Sequence, residues 1–279
     1  MSKHSTVAVC GRDFTRLPNG VMVVSNDSGD LRAPYSKESI PDYLAQVDHS
    51  LSLKKKPYRK ELLRKEEEFN KLVRQLESRR LSLIVVLQGR DGAGKTGARV
   101  RLEEALDFDA RLFQAIPIGA PTEDERAHPY LWRFFAHERM PRFGQVRAFD
   151  RSWAERLLVE PVMGLIGRKE LEASFAEIRT FEWLRVQQHA VLVKLWMDIS
   201  KAEQKKRFEE RAAEKPWKLS DSDAVAREHW DEYTRAANEM FHRTGCDFAP
   251  WYIVSSEDKR YSRVAVLEVI NQALAAALK

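Results

Sequence analysis

The residues best placed to do chemistry sit in one short stretch, "GRDGAGKT", residues 89–96. Gly89, Gly94, Lys95 and Thr96 satisfy the pattern G-x-x-x-x-G-K-[ST]. Glycines at these places let backbone N–H groups turn inward around phosphate oxygens, the lysine adds a point charge, and the threonine hydroxyl is a ligand for Mg²⁺. Gly92, Ala93 and Gly97 complete the expected phosphate-binding loop and the turn beyond it. Asp91 is the anomaly. A carboxylate a few ångströms from bound phosphates is repelled unless a cation, a proton or a hydrogen bond intervenes. Its presence points to a loop that organises Mg²⁺ or orients an acceptor rather than one that only wraps phosphates.

A second carboxylate, Asp150, ends the apolar run "VRAF" and is followed by Arg151 and Arg156. The C-terminal end of a strand beside a phosphate loop is where a second metal-organising acid sits, although an aspartate there can also serve as a helix N-cap. The two arginines favour a phosphate site and are expected to clamp acceptor and transferring phosphates. Arg207, Arg211, Lys215 and Lys218 are spaced to put several cations along one side of a helix and the turn after it, a track suited to a long polyanion. The plainer role for cations among glutamates is a solvated helix face. His137, His189 and His229 have no partners at metal-ligand spacing, and Trp183, Trp196 and Trp251 lie in apolar-periodic segments that read as core.

These groups need elements to hold them. "LSLIVVLQ", directly before the loop, is a continuous β-branched run of the kind buried on both faces of a parallel sheet. Similar runs recur at 111–118, 145–150, 190–198 and 250–256, separated by charged segments of helical spacing such as "RKELEASFAEIRTFEWLRVQQH" and "KAEQKKRFEERAAEK". The alternation predicts a doubly wound α/β sheet of about five parallel strands. An amphipathic helix is expected over Tyr58–Arg80, with Leu62, Phe69, Leu72, Val73 and Leu76 on one stripe. Residues 1–57 carry turn chemistry and one strand-like run, "VMVV", and read as an arm or cap; 58–279 read as the main domain. The charged connection from Lys215 to Phe241 is a candidate lid.

Composition bounds the partners. The 279-residue chain has a net charge of only +5, which permits a polyanionic ligand without demanding one. Cys10 and Cys246 suggest neither a disulfide framework nor a metal knuckle, and no run has signal-peptide or membrane-spanning character, so a cytoplasmic protein is expected.

At the residues quoted above the chain resembles the polyphosphate kinase 2 family, enzymes that move phosphoryl groups between inorganic polyphosphate and nucleotides. The family's loop has the form G-x-D-x-A-G-K, matched here by Gly89, Asp91, Ala93, Gly94 and Lys95, and its second motif resembles "FDRSW" at Phe149–Trp153, with Arg156, Glu160 and "VMG" following. Further likenesses are "ISKAEQKKRFEERAAEKPWKLS" and "APWYIVSSEDKRYSRVAVLEVI", so the match spans roughly Tyr58 to Lys279. "PTEDERAHPYLWRFF" looks most like the catalytic half of tandem-domain members that phosphorylate nucleoside monophosphates, whereas "PWKLS" and "DEYTRAANEMF" are equally at home in members acting on diphosphates. The resemblance implies a P-loop kinase-like three-layer α/β sandwich with a helical lid at about 207–222. It further implies Mg²⁺, with Mn²⁺ as an alternative, at Asp91, Asp150, Thr96 and Glu160, and polyphosphate and nucleotides as substrates. A homo-oligomer, dimer or tetramer, is expected, with neither nucleic acid nor membrane as partner. Two departures are Thr96, where the family often has glycine, and Ala154, where it usually has tyrosine; the second removes a ring and hydroxyl near the acceptor. The alternatives are an ATP-dependent nucleoside monophosphate kinase and an inactive binding scaffold.

Overall fold

The computed structural model describes residues 5–9, 12–25, 40–136, 138–214 and 227–279. His137, Lys215, Lys218 and the part of the expected lid over residues 215–226 lie outside them, while the end of the Lys215–Phe241 connection, from Trp230, is helix with Ala237, Met240 and Phe241 buried. Three short strands come first: β1 (Ser5–Val9), β2 (Arg12–Arg16) and β3 (Met22–Val24). Five more follow where the apolar runs predict them: β4 (Ser82–Gly89), β5 (Phe113–Pro117), β6 (Val146–Asp150), β7 (Ala190–Asp198) and β8 (Trp251–Ser255). The sheet order is β1-β2-β3-β8-β7-β4-β6-β5, with β8, β7, β4, β6 and β5 parallel. β4 is central, pairing Leu87 with Asp150 on one side and Gly89 with Met197 on the other. The chain leaves β4 for β5 and β6 and then crosses to β7 and β8, so the winding reverses at β4. In open α/β sheets ligands bind beyond the strand ends at such a switch point.

The helices are α1 (Lys55–Val73), α2 (Lys95–Ala105), α3 (Glu123–Arg126), α4 (Trp132–Phe135), α5 (Glu155–Val162), α6 (Arg168–Gln187), α7 (Lys201–Glu214), α8 (Trp230–Thr244) and α9 (Lys259–Ala277). One apolar cluster lies between the sheet and α1, α2 and α9, and another between the sheet and α5, α6 and α8. That makes the three-layer sandwich, and it explains why β4 is apolar without alternation: both of its faces are covered.

Three sequence expectations change in detail. The helix expected to reach Arg80 ends at Val73, where Gln75 N–H and Leu76 N–H bond to the carbonyls three residues back and Arg80 takes a φ of 53°. The apolar stripe runs on to fully buried Leu76, so periodicity alone hides the stop. Trp183 is not core: it is 38% exposed, because its neighbours Phe181 and Glu182 take the inward positions on α6. The N-terminal segment is tied to the sheet, since β3 pairs antiparallel with β8 and Phe14 and Tyr43 are buried. Among the described residues no helix is long and apolar enough to cross a membrane.

The α6 side of the core contains a fully buried ion pair. Lys194 Nζ on β7 lies 2.7 Å from Glu182 Oε2 and donates to the Thr244 carbonyl, also at 2.7 Å; the Trp153 indole N–H donates to Glu182 Oε1 at 2.8 Å. Burial pushes the Glu182 carboxyl above its ordinary range while Lys194 pulls it down. Lys194→Met removes that pull and is expected to cost about 3–5 kcal/mol in urea denaturation. Adding Glu182→Leu to it should restore part of the loss, since it removes the unpaired carboxylate but leaves the buried Trp153 indole N–H without its acceptor. Equal stability of the single and double variants would contradict this.

Candidate active site

β4 ends at Gly89, and there the chain runs against β7. A Cβ at Gly89 would lie 2.1 Å from the Met197 carbonyl oxygen, and φ is 136°, so only glycine fits. Gly94 caps α2 at a φ of 96° and hands on directly to Lys95, Thr96 and Gly97 in the first helical turn. The loop therefore presents the N-terminal end of α2, with its unsatisfied N–H groups and positive dipole end, to whatever binds there.

The Asp91 carboxylate lies between two cations, 3.6 Å from Lys95 Nζ and 3.5 Å from Arg151 Nη2. The protein itself thus supplies partners for the misplaced acid. Lys95 Nζ also donates to the carbonyls of Gly89 and Arg90, at 2.9 and 3.1 Å. Arg151 reaches Asp91 because its backbone turns at a φ of 65°, a left-handed conformation that is costly for a non-glycine residue and tends to be kept at functional sites. Burial works against its charge, but Glu155, Asp91 and Asp150 outweigh it.

Around this centre opens a cleft of about 810 Å³. Residues 91–97, Asp150, Arg151, Arg207 and Arg211 line it, so the structure brings most of the sequence-derived site residues to one place. Lys259 and Arg263, from the first turns of α9, also line it, and no sequence argument had singled them out. The available signal was "EDKRYSR" directly after the last strand, because cations there fall at the same end of the sheet as the loop. A small recess adjoins the cleft through Asp91, Lys95 and Arg151 and is lined by Glu155, Tyr233 and Trp196. Burial raises the Glu155 carboxyl above its ordinary range against the pull of Arg151 and Lys95.

Arg156 and Glu160 are not brought into the cleft. They stand four apart on α5 and pair with each other at 2.6 Å, and Arg156 also donates to Ser174 on α6 and lies 4.9 Å from the Tyr130 ring centre. Arg207 lines the cleft, but its guanidinium is engaged: Nη1 donates to the Gly92 carbonyl at 2.9 Å, Nη2 to those of Ser256 and Glu257, and Nε to Glu203. It staples the loop to the end of β8. Arg207→Lys keeps the charge but loses the fork, and is expected to cost roughly 2 kcal/mol of stability together with about tenfold in kcat/KM. An unchanged melting temperature would return Arg207 to a plain ligand-facing role.

Asp91, Asp150 and the Thr96 hydroxyl offer hard oxygen donors in one cleft. Among the described residues no group of three or more His, Cys, Asp or Glu side chains could hold a metal alone. The set fits Mg²⁺, which is commonly held by one or two carboxylates with substrate phosphates and water completing its shell.

Residues 52–279 match the family model described as polyphosphate kinase 2. The chain belongs to the polyphosphate kinase 2 family. Over 238 residues it is 40% identical to a protein of Pseudomonas aeruginosa named polyphosphate:AMP phosphotransferase, covering 85% of this chain and 47% of that protein. Over 209 residues it is 36% identical to ADP-polyphosphate phosphotransferase 3 of Rhizobium meliloti, covering 74% and 72% respectively. The crystal structure of polyphosphate kinase 2 from Arthrobacter aurescens superposes with a TM-score of 0.77 at 31% identity, covering 91% of this chain and 88% of that one. The chain spans about half the length, or less, of the first curated relatives it matches. Family membership agrees with the site: the loop acid and the "FDRSW" segment, which carried the resemblance, meet across the same cleft as Asp91 and Arg151.

Proposed function

We propose that this chain transfers phosphoryl groups reversibly between inorganic polyphosphate and nucleoside mono- or diphosphates, in a Mg²⁺-dependent reaction. The observation that carries this reading is the Asp91 carboxylate held inside the phosphate loop by Lys95 and Arg151, at 3.6 and 3.5 Å. A kinase acting on a hydroxyl needs a base to take the acceptor's proton; a nucleotide phosphate arrives already ionised, and its difficulty is charge repulsion. The cleft supplies relief of that repulsion. Lys95 and the N–H groups of the loop bind the transferring phosphoryl group, and Arg151 holds the incoming phosphate beside it. Asp91 keeps Lys95 and Arg151 in place and, with Asp150 and Thr96, would hold the metal. Bound there, Mg²⁺ supplies charge neutralisation between donor and acceptor phosphates.

In the transfer an acceptor phosphate oxygen forms the new P–O bond to the terminal phosphorus of the chain. The anhydride bond behind that phosphorus breaks, and its electron pair leaves on the shortened polyphosphate. No other co-reactant is needed. The polyphosphate:AMP and ADP-polyphosphate names of the relatives support both acceptor classes. The test is to incubate the pure protein with Mg²⁺ and AMP, ADP, GMP or GDP, with and without polyphosphate, and to resolve the products by chromatography. ADP from AMP, or ATP from ADP, only when polyphosphate is present supports the proposal and identifies the acceptor. Product formed only with ATP as donor would replace it with an ordinary nucleotide kinase.

A further inference from the structure

Positive charge continues beyond the cleft. Lys259 and Arg263, four residues apart on α9, stand on its rim. Arg263 Nη1 lies 3.4 Å from the Tyr58 hydroxyl on α1, and its Nη2 would lie 3.3 Å from a Cβ on Gly97 of α2. One guanidinium thus joins the loop helix to the start of α1. There Lys55, Lys56, Arg59 and Lys60 are all exposed and line a shallow depression of about 630 Å³ that has no acidic side chain in its wall. The first turn of α1 contains no acid, and the next one along, Glu61, is paired with Arg64 at 2.7 Å. Cations near a helix N-terminus oppose the helix dipole, so this arrangement does not serve the helix.

We infer that Lys55, Lys56, Arg59 and Lys60 form an outer subsite for inorganic polyphosphate: a chain held at the loop leaves past Lys259 and Arg263 and lies across the start of α1. The inference rests on the polyphosphate reading of the cleft. Residues 55 and 59, and 56 and 60, are two pairs at helical i,i+4 spacing, so the four charges form two short rows along about 7 Å of helix axis. A linear polyanion charged at every phosphate matches such rows. Of the expected donor track, Arg207 on α7 is instead spent on backbone carbonyls, while Arg211 lines the cleft itself. Single-stranded nucleic acid would call for exposed rings on which bases stack. The aromatic side chain here, Tyr58, is partly buried, with its hydroxyl in contact with Arg263.

The experiment compares the wild type with K55Q/K56Q/R59Q/K60Q, and with K55R/K56R/K60R as the charge-retaining control. KM is measured for long-chain polyphosphate and for linear tetraphosphate at low and high salt. Binding of long-chain polyphosphate and of a single-stranded oligonucleotide is measured alongside, and matching melting curves establish that the variants fold. In the glutamine variant KM for long chains should rise roughly tenfold at low salt, with a flatter salt dependence. KM for tetraphosphate should move less than about twofold, because a chain that short ends inside the cleft, and the arginine variant should behave as wild type. Equal rises for long and short donors, no rise for either, or loss of oligonucleotide binding with long-chain polyphosphate binding intact would each overturn the outer subsite. If the wild type uses polyphosphate of no length, the reading of the cleft itself has failed, and the subsite falls with it.

Discussion

Lys95→Ala is expected to lower polyphosphate-dependent nucleotide phosphorylation by roughly three orders of magnitude, mostly in kcat. The ammonium stands at the centre of the site, against Asp91 at 3.6 Å and the two loop carbonyls. Its charge counts most when negative charge is spread over the transferring group, so its loss falls on the transition state more than on binding. The fold should survive, because Arg151 still faces Asp91 and the turn is fixed by Gly89 and Gly94 rather than by the lysine side chain. Lys95→Arg should not rescue: a fork that pairs with flat carboxylates cannot replace a compact charge seated against two carbonyl oxygens. Initial rates and circular dichroism melts on the same preparations check this, and a Lys95→Ala variant retaining more than about a tenth of wild-type kcat would remove the lysine from the chemistry.

The second large effect is expected at Asp150. Asp150→Asn should reduce turnover by about 10²–10³-fold and raise the Mg²⁺ concentration needed for half-maximal rate. Asparagine is the informative replacement because it keeps the shape of aspartate while removing the charge, and no cap is at stake, since α5 starts from Ala154. Asp150 ends β6 in register with Leu87, and its own carbonyl accepts the Ile118 N–H at 3.0 Å, so its backbone position is set by the sheet and does not depend on the carboxylate. A purely structural aspartate would therefore leave the asparagine variant active, with an unchanged Mg²⁺ requirement. That outcome would take Asp150 out of the site.

The two results also indicate what a sequence can disclose. The inner parallel strands were legible because both of their faces are covered, and burial leaves an unbroken run of apolar, β-branched residues such as Leu83–Leu87, whereas β5 at the sheet edge leaves Gln114 and Pro117 exposed. β1 and β2 were not, since "RDFTR" has the mixed polarity of a strand near a sheet edge. The loop was legible because glycines at fixed spacing are demanded by backbone geometry, as Gly89 against Met197 demonstrates. Arg151 was chosen for its charge, but what carries it to Asp91 is a φ of 65°, which no residue pattern announces. Arg156 and Glu160 misled for the opposite reason: placed one helical turn apart they satisfy each other, and that pairing competes with any role toward a ligand. Lys259 and Arg263 went unseen because their part in the site depends on α9 starting beside the loop, a fact of topology rather than of local sequence.

The most direct measurement is a transfer of label. Uniformly ³²P-labelled polyphosphate is mixed with unlabelled AMP or ADP and Mg²⁺, with no ATP present, and the nucleotides are separated after a single turnover. Label is expected in the terminal phosphate of the product nucleotide and in no inner one, at a rate that collapses in Lys95→Ala. Unlabelled product, or label released only as free phosphate, would contradict direct transfer between the two phosphate chains in this cleft.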